Sequence, residues 1–144
     1  MQNILIVMKK LSKKVKAFTL PELLVVLVII GILVLLTLPV LMPLISRTRS
    51  VEAKQALKHL HTLQKTHFYE FSRYSGDLNE LGFEQEKLVT DGEDGKSYYL
   101  VEVVESSFTG FVAKATAVVD FNGNGQFNVW EIDQNGTLRE TVKD

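Results

Sequence analysis

A chain of 144 residues, 46% hydrophobic and 23% charged, holds about one domain. It has no cysteine, which excludes disulfide frameworks, thiol catalysis and thiolate metal sites. The net charge of −1 conceals an asymmetry: Lys9, Lys10, Lys13, Lys14 and Lys16 crowd the N-terminus, and removing residues 1–17 would take the charge to −6, too acidic for a nucleic-acid role.

The basic leader comes first. Met1 to Met8 is apolar for such a leader, and Met8 offers an alternative start that leaves a short basic stretch to Ala17. From Leu23 to Ile45 there is no charge. As a helix at ~1.5 Å per residue this run measures about 35 Å, enough to cross a hydrocarbon core of ~30 Å with some tilt. A buried core helix is the competing reading. It fails because the residues that remain build too small an interior to hide it. Five lysines precede the run and only Arg47 and Arg49 follow closely, so the positive-inside rule puts the leader in the cytoplasm. A secretory signal would end in a small-residue cleavage site. Here the run ends in Met42-Pro43-Leu44-Ile45-Ser46-Arg47, and the small residue Ala17 lies before it instead.

One carboxylate, Glu22, stands at the start of this run. A charge at membrane depth is costly and calls for a partner. A helix N-terminus also favours a carboxylate through its dipole. Pro21 suits the first helical turn, where its missing N–H costs nothing. Gly31, Pro39 and Pro43 weaken the helix further on.

Lys16-Ala17-Phe18-Thr19-Leu20-Pro21-Glu22 followed by Leu23-Leu24-Val25-Val26-Leu27-Val28-Ile29-Ile30-Gly31-Ile32-Leu33 resembles the type III signal of type IV pilins and type II secretion pseudopilins. Alanine stands at 17 where that family usually carries glycine. The resemblance implies cleavage after Ala17 and N-methylation of Phe18 by a prepilin peptidase/methyltransferase. It implies that the freed Phe18 amine of one subunit meets Glu22 of another and sets the register of a filament. It also implies that the helix melts between Gly31 and Pro39 when packed there.

From Ser46 the helix continues in amphipathic form to about Ser72. Ala53, Ala56, Leu57, Leu60, Leu63, His67, Phe68 and Phe71 recur at spacings of three and four and define the face that packs on a sheet. His59, His61 and His67 do not pair at i, i+4, which argues against zinc. The reading places His67 in the packing and the other two at the surface. Asp77 to Phe83 reads as a short capped turn of helix, and Tyr74 with this Leu-Gly-Phe ending also resembles the pilins. Thr90 to Lys96 is a loop rich in turn residues.

Four valine- and aromatic-rich runs read as strands: 97–105, 110–119, 127–133 and 137–142. Asn135-Gly136 predicts a two-residue hairpin turn, and short connections predict an antiparallel meander. Asp120-Phe121-Asn122-Gly123-Asn124-Gly125 with Glu131 fits the EF-hand loop pattern. Asp120, Asn122, Asn124, Gln126 and Glu131 are the candidate calcium set, with Gly125 for the sharp turn. The exit segment reads as a strand where an EF-hand has a helix, so an Asx-rich loop that binds nothing is the other reading. The resemblance adds that major pseudopilins of type II secretion use a calcium site in this region.

The predicted fold class is α+β. A long N-terminal helix, transmembrane then amphipathic, packs on a small three- to four-stranded antiparallel sheet, the lollipop that the resemblance implies. The divisions are a cleaved leader at 1–17, a membrane or filament-core helix at 18–45, an amphipathic half at 46–75 and a β domain at 76–144. The leading function is a structural, non-enzymatic filament subunit. Its implied partners are further copies, other pilins or pseudopilins, the peptidase, an inner-membrane assembly platform and the lipid bilayer. The implied location is the bacterial inner membrane, N-terminus cytoplasmic and C-terminal domain periplasmic, then an extracytoplasmic filament. The alternative is a monomeric, membrane-anchored, extracytoplasmic calcium-binding or adhesive domain.

Overall fold

The computed structural model describes residues 16–144. The leader lysines Lys9, Lys10, Lys13 and Lys14 and the alternative start at Met8 lie outside the described residues. The chain divides into two compact units, one ending at Thr37 and the other running from Leu38 to Asp144.

Residues 16–19 have no regular structure, and a single helix, α1, runs from Leu20 to Phe71. Within the first unit its side chains from Leu23 to Leu36 are apolar on every side and all exposed. A helix that is hydrophobic all round needs an apolar surrounding, and α1 is long and apolar enough to cross a membrane.

The second unit is built differently. In the later part of α1, Ala53, Leu57, Leu60, Gln64 and His67 are buried, a stripe at alternating spacings of four and three. It packs on a four-stranded antiparallel sheet in the order β1 (Tyr99–Ser106), β2 (Phe111–Ala117), β3 (Val129–Asp133), β4 (Leu138–Val142). This is the predicted α+β meander. On β2 the pleat sorts side chains by parity: Phe111, Ala113, Ala115 and Ala117 are buried, while Val112, Lys114 and Thr116 are half-buried. The small alanines on the inner face join the same core cluster as Ala53, Leu57 and Leu60, so helix and strand backbones can approach closely. Tyr99 and Val101 of β1 and Ile132 of β3 complete that cluster. Fully burying a side chain such as Leu57 or Leu60 is worth roughly 1.5–3 kcal/mol.

Two expectations are corrected. Phe71 does not join the core; it is 58% exposed, because α1 ends there and Ser72 turns left-handed with φ 56°. Asp77 to Phe83 is a single capped turn, as expected: the Leu81 N–H donates to the Asp77 carbonyl at 3.2 Å, the Asp77 carboxylate accepts from the Asn79 N–H at 2.9 Å, and Gly82 reverses the chain at φ 73°. The last hairpin is wider than two residues, since Ile132 pairs with Leu138. There the Asp133 carboxylate takes the N–H groups of Asn135 (2.9 Å) and Thr137 (3.0 Å), which draws them away from the ladder.

Candidate functional site

The first candidate site is the start of α1. The Thr19 carbonyl accepts the first intrahelical bond, from the Leu23 N–H at 3.2 Å, which makes Thr19 the N-cap and Glu22 the third helical residue. The Glu22 carboxylate reaches back: its Oε2 accepts from the Thr19 N–H at 2.7 Å and from the Thr19 hydroxyl at 2.9 Å. Thr19-Leu20-Pro21-Glu22 thus forms the glutamate half of a capping box, in which a glutamate three residues on takes up the N–H of the N-cap residue; the Thr19 hydroxyl donates to the same carboxylate. The spacing of Thr19 and Glu22 is present in the sequence and is the local signal for this partner. Glu22 already has a partner within its own chain. Both bonds fall on Oε2, so Oε1 has no partner among the described residues.

The cap also defines what lies outside the helix. Lys16, Ala17, Phe18 and Thr19 are exposed and carry no regular structure, so the Ala17–Phe18 peptide bond is free of helical hydrogen bonding. Phe18 is 77% exposed. Ala17, Phe18 and Glu22 are therefore gathered within one short segment.

Gly31, Pro39 and Pro43 lie inside continuous helix. Proline lacks an N–H, so Pro39 and Pro43 withhold the helical donors for the carbonyls of Leu35 and Pro39. Just before them the Thr37 hydroxyl donates back to the Leu33 carbonyl at 2.6 Å, a contact that bends helices. A Cβ at Gly31 would meet open space, so close packing within this chain does not account for glycine there.

The second candidate is the Asp120–Gly125 loop. The Asp120 carboxylate accepts from the N–H groups of Asn122 (3.2 Å), Gly123 (2.6 Å) and Gly125 (2.6 Å). The Gly125 bond above all, helped by Gly123 and Asn122, holds the Asp120 carboxyl below its ordinary value. The Asn122 and Asn124 side-chain oxygens accept from the N–H groups of Asn124 and Gln126. Asp120, Asn122, Asn124 and Gln126 therefore share one loop. Glu131 does not join them: it lies on β3 opposite Lys114 of β2, and its carboxylate meets Lys114 Nζ at 3.0 Å. Strand structure at 129–133 aims it there. Among the described residues no group of three or more His, Cys, Asp or Glu side chains could hold a metal.

Two of the three histidines, His61 and His67, tie α1 to other parts of the fold. Buried His67 places Nδ1 2.9 Å from the Arg73 carbonyl and Nε2 3.4 Å from Glu80, His61 sits on the Gln134 carbonyl at 3.2 Å, and His59 is exposed.

Residues 12–38 match the prokaryotic N-terminal methylation motif. The chain is also 44% identical over 72 residues to the type IV major pilin protein PilA of Myxococcus xanthus (strain DK1622), a match that covers 50% of this chain and 33% of that protein. The chain thus spans about a third of the length of that relative. The motif and the relative together support the type IV pilin family.

Proposed function

We propose, from the pilin signal and the capped helix that carries it, that this chain is a structural subunit of a type IV pilus-like filament. The observation that carries the reading is the order of parts at one helix start: basic residue, cut site, capped acid, then an apolar run exposed on every side. Cleavage after Ala17 would free the Phe18 amine and remove the leader lysines in one event. The helix would then sit in the inner membrane until assembly. In the filament its apolar surface is covered by the same surface on neighbouring subunits.

The capping box refines how Glu22 would act. Thr19 occupies Oε2, which leaves Oε1 for the Phe18 amine of an adjacent subunit. A capped acid keeps its helix intact while it meets the cation, and charge pairing in an apolar core fixes register where apolar helices alone could slide. The missing helical donors at Pro39 and Pro43 make Gly31 to Pro39 the stretch that would unwind under packing.

The test is direct. Mass spectrometry of the processed protein should show Phe18 N-methylated as the first residue, and Glu22→Ala should insert in the membrane yet form no filaments. An intact leader, or filaments unchanged in Glu22→Ala, overturns the reading and favours a monomeric anchored domain.

Calcium on the Asp120 loop is a separate proposal. It is supported by the side-chain oxygens of Asp120, Asn122 and Asn124 on one loop, with Gly123 and Gly125 at positive φ (77° and 82°); Gln126 adds a carbonyl. Glu131 would have to leave Lys114 to take part. A melting temperature of the full chain in detergent that does not move between millimolar calcium and chelator overturns it.

A further inference from the structure

An open four-stranded sheet has two edges, and here they are β1 and β4. Edge strands expose unpaired N–H and C=O groups that can template pairing with another chain. The β4 edge is short and carries Arg139, Glu140 and, just beyond, Lys143, with a bulge opposite at Val129/Trp130. Charge and irregularity of this kind blunt an edge.

The β1 edge carries Glu102 and Glu105 and a bulge at Val103/Glu105, so its protection lies towards the far end and the stretch from Tyr99 to Val101 is the part left open. Tyr99-Leu100-Val101-Glu102-Val103-Val104 contains neither proline nor glycine and is rich in strand-forming residues, the composition that self-associates when exposed. Backbone covers this edge only at Ser97, two residues before the strand: the Ser97 N–H donates to the Lys87 carbonyl at 3.1 Å, and the Val89 N–H donates to the Ser97 carbonyl at 2.9 Å. Further along the edge a side chain takes over. Gln85 Nε2 donates to the Tyr99 carbonyl at 3.1 Å, and Gln85 Oε1 accepts from the Val101 N–H at 2.9 Å.

These two contacts have the pattern of a strand. In a parallel ladder one residue donates its N–H to the carbonyl of residue i−1 and accepts the N–H of residue i+1. The primary amide of Gln85 does both around Leu100. The Gln85 side chain stands where the peptide group of an added strand would stand. Beside it a cavity of about 380 Å³, lined by Glu52, Ala56, His59, Phe83, Tyr99 and Val101, leaves room for the side chains of an incoming strand.

We propose that Gln85 is a side-chain plug that closes the β1 edge against strand addition by a second copy of this chain. Every copy carries the same valine-rich edge, so two unplugged edges can pair with each other. The proposal is independent of whether the chain polymerises through its helix.

Gln85→Met keeps the length of the side chain and removes both hydrogen bonds. It should be compared with wild type as full chains in the same detergent micelles. At low concentration, hydrogen exchange at the Val101 amide should rise roughly tenfold. At high concentration a cross-linkable dimer joined through β1 should appear that wild type does not form. Gln85→Glu keeps an acceptor for Val101, loses the donor to Tyr99 and adds a charge, so it should stay monomeric with Val101 protected. Wild-type exchange and oligomeric state in Gln85→Met overturn the proposal. If Gln85→Met does not fold, Gln85→Glu decides: a dimer through β1, or an unprotected Val101, overturns the proposal, and a protected monomer upholds it.

Discussion

The two halves of α1 share one backbone conformation and differ in what surrounds them. From Leu20 to Ile45 the large apolar side chains with a described position lie in the open, Leu27 at 64% and Leu35 at 71%. From Ser46 to Phe71 a single stripe is buried to 0–5%, and it includes the polar Gln64 and His67. The first half leaves its apolar surface for an outside partner, lipid or other subunits in the proposed filament. The second half has found its partner inside the chain. One helix can therefore serve two environments when the period of its hydrophobic pattern changes and its backbone does not.

The largest effect that could break this comparison is a core truncation. Leu60→Ala should destabilise the sheet-bearing unit by about 2–5 kcal/mol, while Leu27→Ala should leave it within about 0.5 kcal/mol of wild type. Trp130 is the only tryptophan and lies on β3, so its fluorescence during denaturant unfolding in detergent reads both. Equal losses would mean that the halves are not independent.

A smaller effect is expected at Gln64. Its amide donates to the Ser75 carbonyl at 2.6 Å and accepts from the Ser75 N–H at 3.0 Å, pinning the chain where it leaves the helix. Gln64→Ala should cost about 1–3 kcal/mol and speed hydrogen exchange at Ser75. Unchanged exchange there would show that the clamp does not hold the segment.

Acid should weaken the second unit. The Ser75 hydroxyl, then His67 and Arg73, hold the Glu80 carboxyl below its ordinary value against the opposing effect of desolvation. A folded-state value below the unfolded one gives stability that is present above the ordinary carboxylate range and lost as pH falls through the lowered value. The melting temperature should therefore drop as pH falls below the ordinary carboxylate range, and by less in Glu80→Gln. An equal drop in both would remove Glu80 from the account.

The smallest effect belongs to the helix start. Thr19→Ala removes the hydroxyl that donates to the Glu22 carboxylate and loosens the first turn, so the Glu22 and Leu23 amides should exchange faster with no change in Trp130 unfolding. If those amides keep their protection, Thr19 does not cap α1.

Much of the fold was legible because it rests on local periodicity. The apolar run, the three-and-four spacing from Ala53 to His67 and the β-rich runs each state a conformation on their own. The N-terminal site was half legible. The acid and the basic-then-small order at Lys16-Ala17 stand out by composition, while the Thr19 to Glu22 spacing takes its meaning only from where α1 starts. Gln64 and Gln85 were not legible at all. Nothing in a lone glutamine tells which backbone it will meet, and Ser75, Tyr99 and Val101 reach them only once the chain has folded back. Glu131 fitted a ligand pattern by spacing, yet strand pairing turned it towards Lys114.

The sequence by itself determined what each segment needs: an apolar surrounding for 23–45, a sheet for the stripe beyond Ser46, and a partner for Glu22. These are properties of composition and period, and they hold for any folded arrangement. Only the tertiary structure decided which polar groups meet, because a hydrogen bond depends on ångström-scale placement that sequence spacing does not encode across a chain reversal. That is why the helix could be read from its residues, and why the closing of the β1 edge by one amide could not.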